Sequence, residues 1–303
     1  MTDILTLGEA LIEFMRLPDE GARVLYERGF GGDTSNAAIA AARQGASVGY
    51  LSAVGDDLFG QELRALWRAE GVSAAHVITR AGDPTGAYFV QPHASGRNFS
   101  YARRGSAASL YGPDDVPAAA IADARVLHSS GLSQAISPTM RAAVLRGAEL
   151  ARASGTLVSF DTNLRLNLWS LEEARAAADE VLPLADIVFP SDDEAEQLTG
   201  LSDPDAVLDH YLGFGAKIVA LKRGGKGVRI ATPALRTDIA PAPSTPVDST
   251  GAGDSFAGAF LAYFLETGDV VRAGQLAAKV AAGTVSGFGA ISPIPRRDQV
   301  WSD

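Results

Sequence analysis

Asp248-Ser249-Thr250-Gly251-Ala252-Gly253-Asp254-Ser255-Phe256 is the stretch from which the rest of the chain can be read. Gly251 and Gly253 leave a backbone bare enough for a phosphate to approach closely, and an apolar, helix-forming run over 256–265 follows at once. The loop therefore opens a helix whose first N–H groups have no internal partner. Those donors, with the helix dipole, make an anion site. A carboxylate at 254 is repelled by a phosphate bound there. Such a cost is tolerated where the carboxylate takes a proton from a group that attacks the phosphate. The other reading of the peptide alone is an Asp that merely answers the dipole at a helix N-terminus.

Outward from this loop, short apolar runs at 4–7, 48–51, 126–128, 157–160, 187–189 and 218–221 alternate with helical segments. Helices are expected over 36–44, 58–70, 138–153, 171–182, 192–199 and 204–212, and two long ones over 252–266 and 270–286. This alternation implies an α/β fold, a mainly parallel sheet covered by helices on both faces. Residues 11–32 and 84–104 break the pattern. They alternate apolar and polar residues with period two and carry Gly and Pro punctuation, so they read as antiparallel strands forming a small β-sheet flap. No linker, charge block or repeat divides the chain, and 1–303 reads as one domain.

The formal net charge of −10 argues against a nucleic-acid or anionic-membrane partner. Any anion bound here must be held by local Arg, Lys and backbone N–H groups. With no cysteine, disulfides, thiolate zinc sites and cysteine nucleophiles are excluded. The four histidines, His76, His93, His128 and His210, show no metal-ligand spacing and read as structural residues. Asp3 and Glu9 interrupt the first apolar run, which therefore does not read as a signal or transit peptide. No uncharged apolar run approaches the ~20 residues that span a bilayer. A cytoplasmic protein is the simplest expectation.

Several further segments carry chemistry. Gly31-Gly32-Asp33-Thr34-Ser35-Asn36 places two glycines before a polar helix start, where a substrate hydroxyl could lie against the backbone beside Asn36; a plain turn and helix cap fits equally well. The first strand lacks G-x-G-x-x-G, so a dinucleotide site is not expected. Asp161-Thr162-Asn163-Leu164-Arg165 follows a buried strand, at the end of the sheet where ligands gather, and Arg165 offers a forked cation. Its alternative is a surface Arg paired with Asp161. Lys222-Arg223-Gly224-Gly225-Lys226-Gly227 is either a phosphate-facing turn or a solvated hairpin. Ser191-Asp192-Asp193-Glu194 starts a helix, and Glu194 is placed to hold magnesium directly or through water if phosphates lie nearby. Tyr88, Tyr101 and Arg103 lie on the flap strands, with 101 and 103 on one side. They suit a small hydroxylated anion, or else a contact between protomers.

Taken together, the Asp-x-Thr-Gly-Ala-Gly-Asp-x-Phe, Gly-Gly-x-x-x-Asn and Lys-Arg-Gly-x-Lys-Gly segments resemble the ribokinase-type (PfkB) carbohydrate kinases. The likeness runs from residue 4 to about 295. Within that family the chain is most similar to the 2-keto-3-deoxygluconate kinases, through 8–13, 101–109, 128–131 and 161–169. Fructokinases share several of these segments. The resemblance implies a doubly wound, Rossmann-like domain with a β-sheet lid that often serves as a dimer interface, acting on MgATP and a small sugar acid. It assigns Asp254 as general base and the amides of Gly251, Ala252 and Gly253 as an anion hole. It gives Gly32, Asn36, Tyr88, Tyr101, Arg103 and Arg165 to the sugar acid. Lys222, Gly225, Gly227 and Ala278, with Gly251 and Gly253, fall to the nucleotide. Glu194 corresponds to the final Glu of the family's Asn-x-x-Glu motif, with Ser191 in place of the Asn, and Glu13 stands where many relatives carry Asp. Some relatives bind a potassium ion, for which Asp248 and Thr250 are suitable neighbours.

The leading expectation is transfer of phosphate from ATP to the C6 hydroxyl of 2-keto-3-deoxygluconate. A fructokinase or other sugar kinase of the same fold is the close alternative, and a non-catalytic sugar or nucleotide sensor the more distant one.

Overall fold

In a strand, successive side chains point to opposite faces, so a strand buried on both sides must be apolar at every position. Ile218 and Ala220 enter one core while Val219 and Leu221 enter the other, and Ile187 and Phe189 divide from Val188 in the same way. Helices Asp33–Arg43, Ala252–Thr267 and Val270–Val285 cover the first face, and Pro138–Ser154 and Pro204–Gly213 the second. This computed structural model describes residues 1–93 and 96–301.

The main sheet has ten strands. Thr2–Leu7 lies inside it, between Val48–Gly55 on one side and Ala124–Ser130 on the other, both parallel to it. Leu157–Asp161, Ile187–Phe189 and Ile218–Lys222 extend the second side in parallel. The chain thus reverses its direction of growth beside Thr2–Leu7, and ligands of open α/β sheets bind outside the carboxyl ends of the strands at such a point. Two antiparallel strands, Val228–Thr232 and Leu235–Ile239, finish the sheet. The last of these has no apolar run to announce it: Leu235-Arg236-Thr237-Asp238-Ile239 is largely exposed.

The segments expected over 11–32 and 84–104 form a separate four-stranded sheet, in the order Tyr26–Gly31, Leu11–Arg16, Ala87–His93, Gly96–Ala102. Residues 94 and 95 of the second segment lie outside the described residues. One expectation is corrected. The outer pairs are antiparallel hairpins, but Leu11–Arg16 and Ala87–His93 run parallel, with Ile12 opposite Ala87 and Met15 opposite Val90. Both hairpins leave the main domain at the same end, so their first strands climb in the same direction.

Helix Ala252–Thr267 is the element that places the loop read first. It packs directly on Asp33–Arg43, so closely at Gly258 that a Cβ there would lie 2.1 Å from the Ala37 carbonyl oxygen. Inserting a methyl group into such a contact costs about 1–3 kcal/mol through forced backbone shifts. Gly258→Ala should lower the urea unfolding midpoint accordingly and pull residue 254 away from residue 36.

Candidate active site

The cleft at the carboxyl edge of the sheet has a volume of about 1190 Å³ and collects nearly every segment singled out from the sequence. Gly32, Asn36, Tyr88, Tyr101, Arg103, Arg165, Glu194, Lys222, Gly225, Gly251, Gly253 and Asp254 all line it. A smaller, mostly apolar slot of about 350 Å³ adjoins it. That slot is bordered by Gly225, Gly227, Phe256, Ala278 and Val285.

Two glycines are required by the geometry. Gly251, at φ +76°, is the residue that turns the chain into helix Ala252–Thr267, and a Cβ there would meet the Ala290 carbonyl oxygen at 2.8 Å. Gly32, at φ +114°, does the same for Asp33–Arg43, with the Glu9 carbonyl oxygen 2.3 Å from where a Cβ would stand. Both helices therefore aim their N-termini into the cleft, and both bring partial positive charge there. The Ser255 N–H donates to the Gly251 carbonyl at 2.8 Å and closes the first turn. Amides ahead of it have no helical acceptor. The Ala252 amide is a partial exception to the expected trio, because it turns back to donate to the Ser249 carbonyl at 3.2 Å. Asp248 holds the loop from behind, accepting from Thr250 N–H at 3.0 Å, Thr250 Oγ1 at 2.7 Å and Gly289 N–H at 3.0 Å.

Side-chain charges at the cleft are paired in a pattern that the sequence did not reveal. Arg103 and Glu9 form an ion pair of 2.5 Å with both side chains buried, and the guanidinium lies 5.2 Å over the Tyr101 ring. Lys222 Nζ is 2.5 Å from Asp161. Burial opposes the Lys222 charge, but Asp161, Glu194 and Asp254 outweigh it and hold its pKa above the ordinary value. Arg165 pairs with Glu194 at 3.3 Å rather than with Asp161, as its simplest surface reading would have it. Glu194 also accepts from Thr162 Oγ1 at 2.9 Å. The Tyr88 hydroxyl is already engaged, donating to Glu13 at 2.5 Å, so it meets a ligand with its ring rather than with a free hydroxyl.

Among the described residues, two buried carboxylates facing the cleft, Asp33 and Asp254, make no ion pair with a cation. Asp33 accepts from Ser130 Oγ, from Asn163 Nδ2 at 2.8 Å and from the Thr34 amide at 2.8 Å; burial raises its pKa. Asp254 accepts from Asn36 Nδ2 at 2.9 Å, and burial, aided by the charges of Asp33 and Asp161, raises its pKa to about 7. A carboxylate titrating there can both take and return a proton at neutral pH.

Asp33, Glu9 and Asn163 lie in segments that the sequence singles out, but it gives them no individual role. Asn163 has a signal only in three dimensions. At φ +32° it alone among the described non-glycine residues has a positive φ, and its side chain ties the turn after Leu157–Asp161 to Asp33. Such strain gathers at binding sites. His128, by contrast, is structural: it is buried, its Nδ1 lies 2.9 Å from Ser159 Oγ, and burial depresses its pKa to about 4.

Among the described residues, no three His, Cys, Asp or Glu side chains group as a metal cage. The donor set suits a magnesium ion held mostly by substrate phosphates, since Glu194 presents one carboxylate at the cleft wall beside the Thr162 hydroxyl. Among the described residues no helix is long and apolar enough to cross a membrane.

Comparison with known proteins accords with this geometry. Residues 1–297 match the model of the pfkB family carbohydrate kinases. A 2-dehydro-3-deoxygluconokinase of Thermoproteus tenax is 34% identical over 309 residues, spanning 97% of this chain and 92% of that protein. Fructokinase-2 of Solanum lycopersicum is also 34% identical, over 87% of this chain and 82% of its own. An Escherichia coli protein solved with ATP and Mg²⁺ superposes with a TM-score of 0.91 at 28% identity, covering 99% and 98% of the two chains.

The elevated pKa of Asp254 has a consequence for folding that can be measured. Between about pH 4 and pH 7 the native carboxyl keeps a proton that the unfolded chain has lost, so stability falls as pH rises through that window. Asp254→Asn removes the burden. Its unfolding midpoint should exceed that of the wild type at pH 8, and the gap should narrow at pH 5. Asn36→Ala deletes the hydrogen bond that favours the ionised form, so the Asp254 titration, followed by NMR of labelled aspartate, should move upward.

Proposed function

The chain belongs to the pfkB family of carbohydrate kinases and is an ATP-dependent sugar kinase; on that premise we propose that it phosphorylates the C6 hydroxyl of 2-keto-3-deoxygluconate (2-dehydro-3-deoxygluconate), giving the 6-phosphate. The observation that carries the substrate assignment is the pair of arginines at the cleft, Arg103 and Arg165, on the side walls of a site whose floor is acidic. Both guanidinium groups already answer a glutamate, but Arg165 holds its partner loosely and close to solvent, so the carboxylate of a keto acid can take that place, an exchange a neutral sugar cannot make. The likeness to 2-dehydro-3-deoxygluconokinases supports this reading, and the equal likeness to fructokinases makes fructose the competitor to test.

In the proposed reaction Asp254 accepts the C6 hydroxyl proton as the oxygen attacks the γ-phosphorus and ADP departs. The N-terminal amides of helix Ala252–Thr267 at Gly251 and Gly253, with Ala252 in a lesser part, face the charge on the transferring group. Asn36 keeps Asp254 aimed and Gly32 lets the substrate lie against the backbone. Tyr88 and Tyr101 supply ring surface from the lid. Lys222 lies beside Gly253, where a Cβ would be 3.3 Å from its Nζ, and so borders the phosphates. Gly225, Gly227 and Ala278 border the adenine end in the apolar slot. Magnesium, when bound through the nucleotide, neutralises phosphate charge, and Glu194 would hold it, directly or through water. A potassium ion would lean on Asp248 and Thr250; both of that carboxylate's oxygens already brace the loop, and no step is assigned to such an ion.

The lid has a second part in this reading. Tyr26 and Phe89, on the lid face opposite Tyr88 and Tyr101, are exposed, and Phe89 stacks on Phe14 with ring centroids 5.2 Å apart. We assign this apolar surface to a dimer interface, which sedimentation should detect and a Phe89→Lys substitution should weaken. A cytoplasmic location follows from the use of ATP.

Asp254→Asn should lower kcat by roughly 10²–10⁴-fold with the fold intact. The acid limb of the kcat/KM profile should lie near pH 7, with activity lost below it as Asp254 protonates. With MgATP, the keto acid should turn over faster than fructose. Arg103→Gln, which also unties the lid from Glu9, should raise KM for the acid at least tenfold and by more than it raises KM for fructose. Faster turnover of fructose by the wild type would overturn the substrate assignment.

A further inference from the structure

Three of the cations that line the cleft, Arg103, Lys222 and Arg165, differ in how firmly their partners hold them. Arg103–Glu9 and Lys222–Asp161 are short pairs, each 2.5 Å, with side chains no more than 15% exposed. Arg165–Glu194 is the longest of the three, at 3.3 Å, and the Arg165 side chain is 44% exposed. Each partner of this looser pair keeps another tether. Arg165 also donates to the Leu164 carbonyl at 2.7 Å, and Glu194 accepts from Thr162 Oγ1 at 2.9 Å. Parting the two would therefore leave both side chains positioned. The backbone beneath Arg165 is fixed by Asn163, whose amide donates to Asp161 at 3.2 Å and whose side chain donates to Asp33 at 2.8 Å. Both charged ends line the same cleft.

We propose that the Arg165–Glu194 ion pair is an exchange contact that couples the binding of the two substrates. A sugar-acid carboxylate takes Arg165 and releases Glu194 toward the magnesium nucleotide; the nucleotide taking Glu194 releases Arg165 toward the acid. The inference rests on the acid-substrate reading given above. Its physical basis is that whichever ligand binds first must break the pair and leave one charge without its partner in a partly buried site. The second ligand finds the pair already broken. The energy of the pair therefore appears as positive coupling between the ligands, and by linkage the effect is reciprocal. A pair this long and half exposed is weak on its own. The coupling should accordingly sit at the low end of the usual range, about fivefold.

Calorimetric titration of the full chain with 2-keto-3-deoxygluconate, alone and with Mg²⁺ and β,γ-methylene-ATP, tests this without turnover. The wild type should bind the acid about fivefold more tightly when the nucleotide is present, and the acid should tighten nucleotide binding by the same factor. In Glu194→Gln the acid should bind the nucleotide-free protein more tightly than it binds the wild type, and the coupling factor should fall toward one. In Arg165→Gln the acid should bind more weakly and the factor should again fall toward one. Circular dichroism identifies folded variants, and either variant alone is decisive. Equal acid affinity with and without nucleotide in the wild type overturns the exchange, as does a coupling factor retained in a folded variant. Acid that binds without coupling refutes the exchange alone, whereas acid that binds in neither state refutes the substrate reading as well.

Discussion

The contact of Gly258 with the Ala37 carbonyl is the constraint on which the site depends. It brings helices Ala252–Thr267 and Asp33–Arg43 close enough for backbone to touch backbone, and it sets the distance between their N-terminal turns. Asn36 on one helix then reaches Asp254 on the other at 2.9 Å. Both helices are entered through a glycine with positive φ, so both point unmet amides into one cleft. An anion loop alone would bind phosphate. The packing of the second helix adds a placed and tuned carboxylate, and that combination is what a phosphoryl-transfer site needs.

Charge balance at the cleft follows from the same crowding. Arg103, Arg165 and Lys222 are each committed to a carboxylate, and the buried carboxylates of Asp33 and Asp254 are left to hydrogen-bond donors. Desolvation raises the pKa of both buried acids, and the charge of Asp33 raises that of Asp254 further. In the proposed mechanism this is useful, because a base that titrates near neutrality accepts a proton readily and is also less hostile to an incoming phosphate. The net charge of the chain lends no help in attracting anions. In the proposed mechanism, substrate capture rests on the local amides and on a cation that changes partners.

The lid contributes through its attachment as much as through its own surface. Glu9 follows the first strand of the main sheet and Arg103 follows the last strand of the lid, so their buried ion pair ties the two sheets at the edge of the cleft. Arg103 is thereby oriented by the main domain although the lid carries it. Tyr101, under the same guanidinium, shares that placement.

Much of this could be read from the chain. The glycine loop with its carboxylate, the alternation of buried strands and helices, and the segments that line the cleft were all visible, because each depends on local physics: a backbone conformation only glycine adopts easily, a period of two or 3.6, an orphan amide. Helix 192–199 was placed to the residue, since its acidic first turn and terminal Gly200 are local signals. The parallel junction of the two lid hairpins, the polar edge strand Leu235–Ile239 and the parts played by Asp33, Glu9 and Asn163 were not visible. Each is set by a partner distant in sequence: Glu9 lies 94 residues before Arg103, and Asn163 lies 130 residues after Asp33. The sequence by itself determined the fold class and the kind of chemistry, because those follow from local backbone and patterning. Only the tertiary structure decided which charges are paired and which carboxylate is left to act, because pairing in a buried cleft depends on which chain ends the folded sheet brings together.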